Sequence, residues 1–274
     1  MSLRFLFRLA SHTLWAAMLS LGLATTAVTA APCGNTSAGF AAWKSAFAAE
    51  ARAAGIKTRG LQALANTHYS KGTISADRKQ TGVRYTLKDF MRIRGTDTIA
   101  RMGRQRKAKN AKFFASLERI YGVPSGIILS IHGMESGFGR VMGNYSVLSS
   151  VATVTYDCRR SDFFRPHLLA ALQLVDKGWL SPSAKGAAHG EIGHTQFLAG
   201  NVITYGADGN GDGRIDLYNQ ADALASTANF LRRKGWTPGQ PYHEGTANFR
   251  ILNDWNAATV YQQAIALTAA RIDG

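Results

Sequence analysis

The stretch PSGIILSIHGMESGFGRVMG, Pro124 to Gly143, decides how the rest of the chain is read. Pro124 suits the first turn of a helix, where its missing N–H costs nothing, so the spacing predicts a helix from there to about Ser136. On a 3.6-residue period Ile128, Ile131 and Glu135 fall on one face, with Ile127 and Met134 on its flank. A single carboxylate therefore points where a core belongs. Burial without a cationic partner raises a carboxyl pKa, and the nearest Lys or Arg in sequence, Arg140, lies beyond Gly137 and Gly139.

A carboxyl still protonated near neutral pH can donate a proton, as a general acid must, and Glu in an apolar pocket is a recurrent solution in glycoside cleavage. Periodicity alone leaves a second reading open, a helix-end residue that reaches water or a distant Arg. The glycines at 133, 137, 139 and 143 have two readings as well: close approach of another chain or a ligand, or helix-stop signals.

Outward from this segment, the first thirty residues read as a secretory leader. Arg4 and Arg8 precede an apolar run, and small residues up to Ala30 precede a cleavage point at Ala31. The run is shorter than the roughly 20 residues of a spanning helix, and Pro32 before Cys33 does not suit lipidation, so no stable membrane anchor is expected. The expected domains are a signal peptide at 1–30 and one mature domain at 31–274, exported to the periplasm. Export favours disulfides, and the two cysteines, Cys33 and Cys158, are expected to pair. The formal charge of +15 falls to +13 once Arg4 and Arg8 leave. Such a surface favours a polyanionic partner. No nucleic-acid motif is present, which turns the expectation to cell-wall polymer.

Most of the mature chain reads as helix: Thr36 to Gly55, a basic then amphipathic stretch from Arg94 to Gly122, His167 to Gly178, Asp222 to Gly235, and Ala258 to Ile272. Within the second of these, Phe113, Phe114, Leu117 and Ile120 lie at core spacing. Segments 71–90 and 181–220 read as irregular with short strands. The class is mainly α, or α+β.

The stretch DGNGDGRIDLYNQAD, Asp208 to Asp222, matches the first two thirds of an EF-hand calcium loop. Alternate spacing lets Asp208, Asn210 and Asp212 converge on one cation, Gly213 permits the sharp turn, and Arg214 offers its carbonyl. Position 12 is Asn219 where a bidentate Glu belongs, so Asp222, or else Asp216, is the expected last ligand.

The segments GMESGFGRVMGNYSVLSSVAT, YDCRRSDFF, GEIGHTQFLAGNVITYGADGNGDGRIDL and DWNAATVYQQAIAL follow in this order, and together the chain resembles the B-type lytic murein transglycosylases over roughly residues 37 to 272. The resemblance implies a lysozyme-like catalytic domain with one catalytic Glu, Glu135, and a calcium loop at Asp208, Asn210, Asp212 and Asp222. It also implies substrate contacts from Arg159, Arg160, Gln196, Phe197, Trp255, Asn256 and Tyr261. The implied reaction is non-hydrolytic cleavage between N-acetylmuramic acid and N-acetylglucosamine of peptidoglycan strands, Glu135 acting as acid and then base, with a 1,6-anhydromuramoyl product. Calcium is the implied cofactor, with no organic cofactor and a monomer expected. The sequence departs from the family's Gly-Ala-Met-Gly at Gly190, Glu191, Ile192 and Gly193, from Met-Pro-Ser at Leu198, Ala199 and Gly200, and from an aromatic Tyr at Trp255.

Two other readings remain. A hydrolytic muramidase needs a second carboxylate, for which Asp157 and Asp162 are near in sequence. A non-catalytic calcium-dependent wall-binding protein needs no acid.

Overall fold

The computed structural model describes residues 30–79 and 85–274, so nearly all of the expected leader lies outside the described residues. After a 3-10 turn at Ser37–Gly39, helices α1 (Phe40–Ala53) and α2 (Thr58–Ala65) lead into α3 (Lys71–Arg78) and α4 (Leu87–Arg94). Then come α5 (Thr96–Lys109), α6 (Ala111–Tyr121) and α7 (Ser125–Ser136). Past a two-residue strand β1 (Tyr145–Ser146) lie α8 (Val147–Tyr156) and α9 (Ser161–Asp176). Strand β2 (Lys185–Gly186), α10 (Ala199–Tyr205), α11 (Gln220–Arg233), α12 (Ala247–Trp255) and α13 (Thr259–Asp273) complete the order. β1 and β2 pair antiparallel, with Tyr145 opposite Gly186. Among the described residues no helix is long and apolar enough to cross a membrane.

Helix α7 is the axis, packed by α13, α5, α6 and α11. Ser125 to Met134 are buried all round, so the face inferred from Ile128, Ile131 and Glu135 is corrected: this helix has no wet side. A helix apolar around its whole circumference is a central one. Glu135 is the only half-buried residue of α7, and it lines a cleft at the end of the helix. The close packing needs glycine: a Cβ on Gly126 would lie 2.5 Å from the carbonyl oxygen of Ala269 on α13. Acids from distant segments satisfy free helix N-termini. Asp273 Oδ1 accepts the Gly126 N–H at 2.9 Å, and Asp176 accepts those of Lys57 and Gly60 at 2.7 and 2.8 Å.

Both readings of the glycines hold. Gly137, Phe138 and Gly139 all take left-handed φ, of 57°, 63° and 85°, which stops α7. Gly139 then lies against the His194 ring and Gly143 against the Gly186 backbone. Cys33 and Cys158 form a disulfide, Cα atoms 5.0 Å apart, which ties the segment before α1 to the α8–α9 turn.

Several expectations change. Among the described residues of segment 71–90 there is no strand: α3 and the start of α4 lie there, capped by Ser70 and Thr86 Oγ atoms that accept the Thr73 and Asp89 N–H groups. These eight-residue helices are too short and polar for an apolar period to announce them. Segment 181–220 holds β2 and α10, and the basic stretch breaks at Asn110 into α5 and α6. Ile120, expected at core spacing, is 58% exposed.

Candidate active site

Three elements deliver the acid and its partners. Glu135 is the last but one residue of α7, Trp255 ends α12, and Tyr261 sits in the first turn of α13. Trp255 Nε1 donates to Glu135 Oε1 at 2.9 Å, and Tyr261 Oη donates to the same oxygen at 2.7 Å. Among the described residues Oε2 has no hydrogen-bond partner. Both donors are neutral. Burial pushes the Glu135 carboxyl up; the Trp255 and Tyr261 hydrogen bonds and the Arg94 charge pull against it, the Glu191 charge adds to it, and the net direction is up. Burial, then the neighbouring Glu135, pushes the Tyr261 hydroxyl well above its ordinary range, so it stays a donor.

The carboxyl opens into a cleft of about 310 Å³ lined also by Gln196, Phe197, Asn256, Glu191, Phe230 and Asp254. Gln196 has a left-handed φ of 56°, and its Nε2 donates to the Gly193 carbonyl at 2.7 Å. A non-glycine residue held there is strained backbone at a site. Phe197 is buried, its ring 5.4 Å from that of Trp255, which in turn lies 5.4 Å from Phe230. Asn256 accepts the Ala258 N–H on Oδ1 at 3.0 Å and opens the turn that carries Tyr261. The structure thus gathers Glu135, Gln196, Phe197, Trp255 and Asn256 around one cleft, with Tyr261 behind the acid.

Arg159 and Arg160 are not among the residues lining this cleft. Their guanidiniums hold Asp77, a buried carboxylate that Arg78 also reaches at 2.8 Å. Arg78 spans to Asp157 at 2.6 Å. A buried acid recruits cations, and Asp77 supplies the strongest local demand. Asp157 is therefore consumed in this cluster and Asp162 is exposed on α9; neither lines the cleft. The carboxylates that do are Glu191 and Asp254. Sequence reading weighed neither for this, although Glu191 stood out as a departure from the family's pattern.

In the calcium-type loop, Asp208 accepts the N–H groups of Gly211 and Gly213 at 2.6 and 2.7 Å, and Asp212 accepts that of Arg214 at 2.8 Å. Asn210 Oδ1 accepts the Asp212 N–H at 3.0 Å, and the Arg214 side chain donates to the Gly178 carbonyl. Asp222 is buried and clamps the loop, accepting the N–H groups of Gly209, Asn210 and Asp216. Asp216 accepts the Tyr218 N–H at 2.9 Å. The oxygen donor set suits a hard cation: Asp208 Oδ2, Asp212 Oδ1 and Asp222 Oδ2 each accept one N–H and keep a second lone pair, while Asp208 Oδ1 and Asp222 Oδ1 each accept two. Among the described residues, however, no three His, Cys, Asp or Glu side chains are gathered as a metal cage.

A mainly helical domain with a half-buried acid at the floor of an open cleft is the lysozyme-like arrangement. Residues 39–246 match the Transglycosylase SLT domain family, and the chain belongs to it. It is 36% identical over 123 residues to membrane-bound lytic murein transglycosylase B of Escherichia coli (strain K12), a match covering 44% of this chain and 34% of that protein. The matched segment is thus about a third of that relative's length. Among solved structures the fold is similar to SltB3 from Pseudomonas aeruginosa in complex with NAG-anhNAM-pentapeptide, with TM-score 0.79, 27% identity, and 86% and 80% of the two chains covered. It is also similar to Escherichia coli Slt35 in complex with calcium, with TM-score 0.67, 22% identity, and 77% and 86% covered.

Proposed function

We propose that this protein is a lytic transglycosylase that cleaves the β-1,4 bond between N-acetylmuramic acid and N-acetylglucosamine in peptidoglycan. The observation that carries the reading is the asymmetry of Glu135: two neutral donors occupy Oε1, which leaves Oε2 to carry the proton into the cleft. Protonation of the glycosidic oxygen by Oε2 lets the C1–O bond break, with the substrate's acetamido group supporting the oxocarbenium-like centre. Oε2, now a base, takes the proton of the muramoyl 6-hydroxyl as O6 bonds to C1. The anhydro ring closes and the acid is restored, so one carboxyl serves twice. The NAG-anhNAM ligand of the SltB3 structure supports an anhydro product here. Gln196, Phe197, Trp255 and Asn256 line the sugar path. Arg159 and Arg160, whose partly exposed guanidiniums hold Asp77, are the proposed contacts to the glycan strand beyond this cleft.

Glu135→Gln keeps the shape but removes the proton. Turnover on purified peptidoglycan should drop by about 10²–10⁴-fold with the circular dichroism spectrum unchanged. Near-normal release of fragments by this variant would remove Glu135 from the mechanism.

Calcium is the proposed structural ion, held by Asp208, Asn210, Asp212 and Asp222 with the Arg214 carbonyl; the oxygen-only spacing and the calcium-bound relative support it. When bound, it supplies positive charge that rigidifies the loop between α10 and α11. At 100 times its dissociation constant it adds about 2.7 kcal/mol, so the melting temperature should rise with calcium and stop rising in Asp212→Ala. Identical melts in chelator and in millimolar calcium would refute the site. The reading places the mature chain in the periplasm, working on glycan strands without a nucleic-acid partner.

A further inference from the structure

Glu191 lines the same cleft as the acid, near enough for its charge to push the Glu135 carboxyl up, and nothing in the single-acid reaction uses it. Its place is built. Gly190 turns the chain with a left-handed φ of 90°, and Ile192 and Phe197 exchange backbone hydrogen bonds at 2.8 and 3.2 Å, which fixes the loop. Glu191 Oε2 accepts the His189 N–H at 3.0 Å, and Oε1 lies 3.3 Å from His189 Nδ1. The other ring nitrogen of His189 is buried, has no hydrogen-bond partner among the described residues, and lies 3.6 Å from Asp77 Oδ1. The Arg cluster holds Asp77, Asp77 faces His189, and His189 orients Glu191. A quarter of the Glu191 side chain stays exposed, within the same cleft as Glu135. An acid so placed costs stability, since it stands against a second carboxyl in a partly dry site.

We propose that Glu191 is a second catalytic carboxylate, which activates a water molecule and opens a hydrolytic branch beside ring closure. The inference rests on the lytic reading of Glu135. In this branch Glu135 protonates the leaving oxygen as before. Glu191 takes one proton of water while the water oxygen bonds to C1, where the glycosidic bond has broken. The product is a reducing-ended muramoyl unit, one water heavier than the anhydro form, and exchange with solvent resets both carboxyls. Each Glu191 oxygen has a second lone pair for that water. A water's share of liquid volume, about 30 Å³, is small against a cleft of about 310 Å³. The electrostatics agree: burial pushes Glu191 up, but the His189 hydrogen bond and charge and the backbone N–H groups outweigh it, and the carboxyl lies low while Glu135 lies high. Two carboxyls driven apart in this way are an acid and a base. His189 is then a positioning residue.

Digestion of purified peptidoglycan by the full chain, with mass analysis before and after borohydride, separates the two products. Wild type should give both. Glu191→Gln, and independently Glu191→Ala, should lower the ratio of reducing-ended to anhydro fragments by about 10²-fold. The ratio does not depend on how much total activity a variant keeps, and thermal melts establish that each is folded. Only anhydro fragments from wild type would overturn the proposal while leaving the lytic reading intact. An unchanged ratio in both folded variants would overturn it too. No cleavage by wild type would be the failure of the lytic reading itself, and would take this proposal with it.

Discussion

At Glu135 the two oxygens have different surroundings, and the jobs proposed for them can be tested. Trp255 and Tyr261 donate to Oε1, and hydrogen bonds to the charged form lower a carboxyl pKa. Removing the Tyr261 donor as Tyr261→Phe therefore lets burial act less opposed, and the Glu135 pKa should climb further. On the proposed mechanism protonated Glu135 is the starting acid, so activity should fall as pH rises through its pKa. The alkaline limb of kcat/KM should move to higher pH in Tyr261→Phe, and a shift to lower pH would contradict the assigned hydrogen bond. Glu135 could be picked out in the sequence as a candidate acid, because glycines and apolar neighbours surround it, while periodicity alone left a helix-end reading open. Its donors could be reached only through a family resemblance, since Trp255 and Tyr261 lie 120 and 126 residues away and no local spacing links them.

At the level of elements, the α3 terminus and the α8–α9 turn are joined by charge rather than by apolar packing. Asp77 on α3 is buried among Arg78, Arg159 and Arg160. Burial raises its pKa, but the hydrogen bonds and charges of Arg159 and Arg160 prevail and hold it below the usual carboxylate range. A depressed folded pKa means stability that is present above the unfolded value, near 3.9, and lost as pH falls through the folded one. Asp77→Asn should thus cost about 3 kcal/mol at pH 7, the low end for a broken buried pair because the guanidiniums stay partly exposed. The gap to wild type in urea melts should close in acid. A cost that is the same at pH 3 and pH 7 would mean that packing, not charge, joins these elements. α1, α7, α11 and α13 declare themselves in the sequence by apolar period and glycine stops. α3, α10 and α12 do not, being short and held by caps and by neighbours. The Arg pair shows the limit most clearly: its sequence marks it as charged and exposed, while the buried acid that claims it comes from 82 and 83 residues earlier.

Across the whole molecule, the Cys33–Cys158 bridge closes a loop with a separation of 125 residues. Loop-closure entropy for that length gives about 5 kcal/mol of stabilisation in the chain-entropy model, so reductant, or Cys33→Ser with Cys158→Ser, should bring the denaturant midpoint down sharply. An unchanged midpoint would show that the helical core alone sets stability. Glu135 depends on spans of about the same length, 120 and 126 residues, because both of its donors come from the last two helices. A growing chain exposes the acid at least 120 residues before Trp255 exists. At a synthesis rate of about 5–20 residues per second, that interval is roughly 6–24 s. Throughout it the carboxyl is an ordinary hydrated one, ionised and without its pocket. A strand that stops before α12 carries the carboxyl without either donor, so on the proposed reading the acid gains its pocket only when the last two helices arrive.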